Sequence, residues 1–575
     1  MPAVSRDAVS ASTLKRRVDQ ALGRTEADLV IKNTRYLDVA TGTFAEGDIA
    51  VCGDAIVGIG EDYRGQEEIN GRDQTVVPGF VDAHVHVESS LLTPEGFDST
   101  VLPRGTTTAI CDPHEIANVL GAEGIRFFLD SALETIMDLR VMLPSCVPAT
   151  HLETAGAVLG AEDLLPFKDH PKVLGLAEMM NFPGLLHGDP GVMEKVAAFS
   201  DTHIDGHSPL VRGKELNAYL ACGIRTCHES TSLEEAREKL SKGMRVLMRE
   251  GSVSKDVAEL APLLTDATWP FVCFCTDDRN PLDIAAEGHI DHSLRKAIAG
   301  GVPVAAAYRA VSWSAANAFG LTDRGMVAPG YRADLLLLDD VESCAISQVI
   351  RNGSLIGAQS FSGRQMPPAV GLDSVKLEPV SAELFRVPAS GPGGPVIGAI
   401  PGSLLTEHLT LDLPYRMGER LPDPIQDVQK ICVLARHGHN GNVGRGFVQG
   451  FGLTGGALAS SVGHDSHNIC VVGVSDTDMA IAANRLIALQ GGFVAVKDGE
   501  VLAELALPVA GLMTTQSDRF VEEKLKALRA AVADMGCRLE EPFLQLAFLP
   551  LPVIPHLKIT DFGLVDVDRF ELIAA

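Results

Sequence analysis

Between Pro78 and about Gly320 apolar, strand-like runs alternate with helical stretches, and this rhythm constrains the fold more than any other feature of the sequence. The strand candidates, in order, are "GFVDAHVHV", "TTAICDPHE", "RVMLPSCVPAT", "VLGLAEMMN", "THIDGHSP", "IRTCHES", "MRVLMREG" and "FVCFCTDD". Helical stretches such as "SLEEAREKLSKG" lie between them. Eight βα units in about 240 residues predict an α/β fold, a (β/α)8 TIM-like barrel with its functional groups at the carboxyl ends of the strands. An open doubly wound sheet is the weaker reading, because no G-x-G-x-x-G follows the first strand.

Both flanks of this segment are rich in strands. "ADLVIKN" and "GDIAVCGDAIVGIG" precede it, the latter a hairpin turning at Gly53-Asp54; "ADLLLLDD" and "VIRNGSLIG" follow it, with a second hairpin at Asn352-Gly353. Their similar character predicts one split β-sandwich-type domain assembled from both sides; two unrelated β-appendages are the alternative. From about Pro368 a separate α+β unit begins. Its strongest element is the helix "SDRFVEEKLKALRAAVADMG", with Ser517 to cap it and Gly536 to end it. A second helix is "TDMAIAANRLIALQ", followed by a strand pair turning at Asp498-Gly499. The Gly-rich "RHGHNGNVGRGFVQGFGLTGG" matches no phosphate-binding pattern and reads as a packed or mobile loop. The expected division is 1–77 (amino-terminal helix and first part of the β-domain), 78–320 (barrel), 321–367 (second part of the β-domain) and 368–575 (carboxyl-terminal α+β domain).

Composition narrows the function. A net charge of −27 repels phosphate backbones and anionic membranes, so neither nucleic acid nor membrane is an expected partner. No run is long and apolar enough to span a bilayer. Residues 1–22 read as a short amphipathic helix with no apolar stretch of the secretory kind. The 11 cysteines have no C-x-x-C pairing, as suits reduced thiols in the cytoplasm.

The barrel strands carry the chemistry. His84 and His86 sit two apart at the end of the first, so alternation points both the same way. Alone, an H-x-H is weak evidence in a chain with 17 histidines, and His437-Gly-His439 repeats it outside the barrel with nothing else to support a metal. The other strand ends supply that support: Glu178 ends the fourth, His207 the fifth, His228 the sixth and Asp277 the eighth. Four imidazoles and two carboxylates exceed the needs of one four-coordinate zinc. They suit two divalent ions bridged by a carboxylate and a water-derived hydroxide. Asp277, last in the set, is the natural group to carry a proton to a leaving group. The residues alone therefore predict a binuclear metallohydrolase and leave its substrate open.

The H-x-H strand, the split β-domain and the His, His, Asp endings resemble the amidohydrolase superfamily. More narrowly, "PGFVDAHVHVESS", "DPHEIANVLG", "DGHSP" and "GHDSHNICVVG" resemble the bacterial adenine deaminase family over nearly the whole chain. That resemblance implies hydrolysis of adenine to hypoxanthine and ammonia in purine salvage, by a homo-oligomeric enzyme using water and two Mn(II) or Fe(II) ions, with zinc compatible. It implies His84, His86, Glu178, His207, His228 and Asp277 as the metal shell, with Glu178 bridging. A hydroxide would attack C6, and Asp277 would move its proton towards the departing amine.

Other residues have two readings. Glu88 and Ser89 either reach the purine edge, with Glu88 protonating a ring nitrogen, or cap the following segment. His114 faces the substrate or supports the metal shell. His464 and His467 close over the site or form a local polar network. His151, His170, His187, His203, His289, His292 and His556 read as structural, with His289 and His292 the first exceptions to consider. Dihydroorotase-like relatives bridge their metals with a lysine on strand four, where this chain has Glu178; adenosine deaminases carry H-x-x-E on strand five, where His207 is followed by Ser-Pro-Leu. Hydrolysis of another small heterocycle or of an N-acyl group remains the alternative. A non-catalytic scaffold is disfavoured by the complete ligand set.

Overall fold

The computed structural model describes residues 9–575. All eight sequence-predicted barrel strands form: β1 (Phe80–Val85), β2 (Thr106–Cys111), β3 (Asp138–Leu143), β4 (Val173–Met179), β5 (His203–Gly206), β6 (Thr226–Cys227), β7 (Arg245–Arg249) and β8 (Val272–Cys275). Neighbours from β1 to β5 and from β6 to β8 pair in parallel. The ring closes through a parallel bridge between Val85 and Asp277. A bond from Arg225 N to Ile204 O (3.4 Å) joins the β5 and β6 edges. Val81, Ala83, Ile110, Met142, Ala177, Leu247, Cys273 and Cys275 come from six different strands and meet in one buried cluster. Only the inside of a barrel brings so many strands to one point. The helices follow their sequence signals; Leu233–Ser241, for example, starts where Ser232 accepts from Glu235 N.

The two β-rich flanks meet in a single sheet. Thr75–Pro78, just before the barrel, pairs antiparallel with Leu335–Asp340, just after it. Both expected hairpins are present, at Gly53-Asp54 and at Asn352-Gly353. The helix expected near the start covers Ala11–Ala21, while residues 1–8 of that reading lie outside the described residues.

The carboxyl-terminal unit is built on an eight-stranded sheet. Alternate residues of its strand Val428–Leu434 face opposite sides. Cys432 and Leu434 pack with the helix Asp476–Leu489, and Ile431 and Val433 with the helix Asp518–Asp534. Ser517 caps the second helix, accepting from Phe520 N. The Gly-rich stretch corrects the sequence expectation, since Val443–Gln449 is an inner strand of this sheet. At Gly444 an added Cβ would meet Thr560 O at 1.8 Å, so this glycine permits close strand packing. Among the described residues, no helix is long and apolar enough to cross a membrane.

Candidate metal centre

At the carboxyl end of the barrel the structure brings His84, His86, Glu178, His207, His228 and Asp277 together, all buried. Pairing of β1 with β2 slips between Asp82 and Val85, and the chain leaves the strand at His86. His84 Nε2 and His86 Nε2 then face each other at 3.2 Å. The other nitrogen of each ring is already engaged: His84 Nδ1 with Asp205 Oδ2 (3.0 Å) and His86 Nδ1 with the Asp112 carbonyl (3.0 Å). An acceptor on Nδ1 selects the tautomer that leaves a lone pair on Nε2. Two lone pairs aimed at each other in a dry site repel unless a proton or a metal ion lies between them.

Glu178 joins two sets of ligand atoms. Its Oε1 lies 3.3 Å from His86 Nε2 and 3.5 Å from His84 Nε2. Its Oε2 lies 2.7 Å from His207 Nδ1 and 3.3 Å from His228 Nε2. Asp277 Oδ1 completes the first set, 3.2 Å from His86 Nε2. The backbone N of His207 donates to Tyr219 Oη, which donates to the Met179 carbonyl, so the ends of β4 and β5 are locked in register. Asp277 adopts a left-handed backbone (φ 56°) as the chain turns out of β8.

The electrostatics match a site built for cations. Burial disfavours charge on His84, yet Asp205 and Glu178 outweigh it and raise its pKa to about 10. Burial likewise pushes the Glu178 carboxyl up, but His228 and His207 hold it well below the usual carboxylate range. In the bare chain these carboxylates are neutralised by imidazole protons, the protons that bound metal would displace. The N/O donor set and its two-sided geometry fit a pair of divalent transition ions.

Sequence reasoning missed four groups around this cluster. Asp205 stands two residues before His207 in "DGH", and that spacing was its signal. Glu229 directly follows His228 and approaches His207 Nδ1 at 3.6 Å. Arg249, at the end of β7, donates from Nη1 to Asp277 Oδ2 (3.0 Å) and from Nη2 to Glu229 Oε2 (3.2 Å). A guanidinium is not a metal-ligand type, which hid its role. Glu115 is the fourth, with His464 Nδ1 at 2.5 Å from its Oε1 and His467 Nε2 against its Oε2. The carboxyl-terminal loop carrying those histidines thus reaches the barrel mouth.

The remaining sequence candidates are also placed. His114 Nδ1 bonds Asp112 Oδ2 (2.9 Å), and its ring lies 4.5 Å from that of His86. Glu88 Oε1 accepts from Ile116 N (3.1 Å), and its buried Oε2 has no partner in the chain. Ser89 Oγ donates to Asp278. His289 is bonded to Thr106 and Thr276, and His292 lies beside Glu250 and Glu287; neither joins the cluster. A cavity of about 1110 Å³ opens beside the site, reaching Glu229 and Arg249 and bordered by Asn181, Leu210, Leu404 and Phe570.

Residues 75–356 match the amidohydrolase family model, and residues 403–571 match the adenine deaminase C-terminal domain. The chain is 61% identical over 562 residues to an adenine deaminase of Gluconobacter oxydans, covering 98% of this chain and all of that protein. It is 58% identical over 573 residues to adenine deaminase 1 of Agrobacterium fabrum, with both chains covered in full. A relative from Sinorhizobium fredii, also called adenine deaminase, is 60% identical over 97% of this chain and 99% of its own length. With a barrel mouth lined by six ligand-type side chains and full-length identity near this level, the chain belongs to the adenine deaminase family of amidohydrolases.

Proposed function

We propose that this enzyme hydrolyses adenine to hypoxanthine and ammonia, in the cytoplasm and as a homo-oligomer, with two Mn(II) or Fe(II) ions held by His84, His86, Glu178, His207, His228 and Asp277. The observation that carries the reading is Glu178, whose two oxygens each serve one set of ligand atoms. The homo-oligomer rests on family resemblance, and the cytoplasmic setting draws on cysteines that are all free.

Two such ions, held by these six residues, would supply hydroxide near neutral pH by acidifying water. The chain's own groups do the rest. Asp277 directs Oδ1 at the ligand cluster while Arg249 occupies Oδ2, so Oδ1 is the oxygen left to take a proton beside the ions. Water adds to C6 of the purine; its proton passes to Asp277 Oδ1 and on to the amino nitrogen, which leaves as ammonia. Glu88, with one buried carboxyl oxygen unpartnered, serves as the donor to a ring nitrogen and takes back the proton of the C6 hydroxyl as ammonia leaves, with Ser89 beside it on Asp278. Closure of the site by buried groups strengthens each of these interactions.

Ammonia release from adenine, adenosine and cytosine, by protein grown with iron chelated and manganese supplied, tests the reading. Release from adenine alone supports it. Silence on adenine from protein holding two ions would overturn it in favour of another heterocycle or an N-acyl substrate.

A further inference from the structure

Beside the six-residue cluster lies a second group of buried ligand-type side chains, contributed half by the barrel and half by the carboxyl-terminal domain. His114 and Glu115 follow β2, and His464 and Asp465 come from the loop "GHDSHN". All four are buried. His114 Nδ1 is engaged by Asp112 Oδ2, which leaves its Nε2 as a lone pair, the same arrangement as in His84 and His86. That Nε2 lies 3.4 Å from Glu115 Oε1 and 3.7 Å from Asp465 Oδ1. His464 Nδ1 lies 3.7 Å from Asp465 Oδ1 and 2.5 Å from Glu115 Oε1.

These contacts are not a satisfied hydrogen-bond network. The two oxygens of Glu115 are met most closely by the imidazoles of His464 and His467, and both oxygens of Asp465, sealed from water, lack an aligned donor. The cations near the two carboxylates are imidazoles; neither carboxylate forms an ion pair with Lys or Arg among the described residues. Leaving the two buried Asp465 acceptors unpaired costs roughly 1–3 kcal/mol each, a penalty that a bound ion removes. Ligands about 2.1 Å from one ion sit roughly 3.0–3.5 Å apart, close to three of the four separations here. The His464–Glu115 approach is the one that an ion would widen. His467 plays the outer role: its Nδ1 accepts from Gly463 N (3.2 Å), so its Nε2 carries the proton and faces Glu115 Oε2. Cys146 completes the surroundings, grouped with His114 and Asp465.

We propose that His114, Glu115, His464 and Asp465 hold a third divalent cation, which staples the carboxyl-terminal domain to the barrel mouth. Mixed imidazole and carboxylate donors, with a thiol close by, select a borderline transition ion such as zinc, iron or manganese over magnesium or calcium.

The test counts ions. Full-length protein stripped with a chelator and dialysed against excess zinc should bind three ions per chain, and the double variant His464→Gln, Asp465→Asn two. Crystals grown in the same excess of zinc should show an anomalous peak among the four side chains, with His464 and Glu115 moved apart. Two ions in the wild type and no peak there would overturn the inference, whether or not the double variant folds. The His84→Ala, His86→Ala variant separates this outcome from failure of the binuclear reading. It keeps the anomalous peak at His114 if the third site exists, and it binds as many ions as the wild type only if the binuclear reading is wrong.

Discussion

The two ends of the barrel bury charge in opposite ways. At the amino-terminal end Asp138, buried at the start of β3, meets Arg324 Nη1 (2.6 Å), Lys172 Nζ (2.8 Å) and Arg140 Nε (2.8 Å). Its charge is balanced by permanent cations of the chain itself. At the carboxyl-terminal end Glu178 and Asp277 face imidazole nitrogens, and Arg249 is the one guanidinium in contact with the cluster's carboxylates among the described residues. The first arrangement is complete and serves stability. The second is balanced by imidazoles, whose protons a bound metal would displace, and this distinguishes it as the candidate site.

Substitutions at the two ends test that contrast. The largest effect is expected from Glu178→Gln, which should bring bound metal well below two ions and lower turnover by about 10³-fold or more. Full occupancy with a normal rate would move the bridge elsewhere. Asp277→Asn should reduce kcat by roughly 10²–10⁴-fold with a smaller change in KM, as expected for loss of the proton carrier. A variant that changes only KM would remove Asp277 from that role. Arg324→Met leaves Asp138 with less compensation and should cost about 3–5 kcal/mol in urea unfolding, while turnover of the folded protein stays normal. Lost turnover without lost stability would break the assignment of the two ends. Arg249→Lys keeps the charge but loses the fork that holds both Asp277 and Glu229. A charged hydrogen bond of about 1.5 kcal/mol sets an expected loss of roughly 10-fold in kcat.

The smallest effect is on pH dependence. Burial pushes the Asp138 carboxyl up, but Arg324, Lys172 and Arg140 outweigh it and hold the carboxyl well below its ordinary value of 3.8. A depressed folded pKa stabilises above the unfolded value, and that contribution is lost as pH falls from there towards the folded pKa. Unfolding measured below about pH 4 should therefore weaken less steeply in Arg324→Met than in the wild type. Parallel acid limbs would show that the cluster is not what holds this proton off.

Much of this was legible in the chain because strand and helix periodicities are local. Each barrel strand was visible as an apolar run, and each residue of the mouth cluster as a side chain ending one. Even the joining of the two β-rich flanks followed from their matching character. The Gly-rich stretch was misread because glycine marks a loop and a close-packed strand alike; what distinguishes them at Gly444 is Thr560, far away in sequence. Arg249 and Glu115 escaped for a related reason, since the partners that give them meaning, Asp277 and the loop from His464 to His467, lie on other elements.

The sequence by itself determined the barrel, its split companion sheet and the six residues at its mouth, because those depend on patterns repeated within a few residues. Only the tertiary structure decided which imidazole nitrogen faces inward, how Glu178 divides its two oxygens, and that the carboxyl-terminal domain reaches the site. Those are matters of a few ångströms between distant segments, where a hydrogen bond to the far side of a ring decides what its near side can hold.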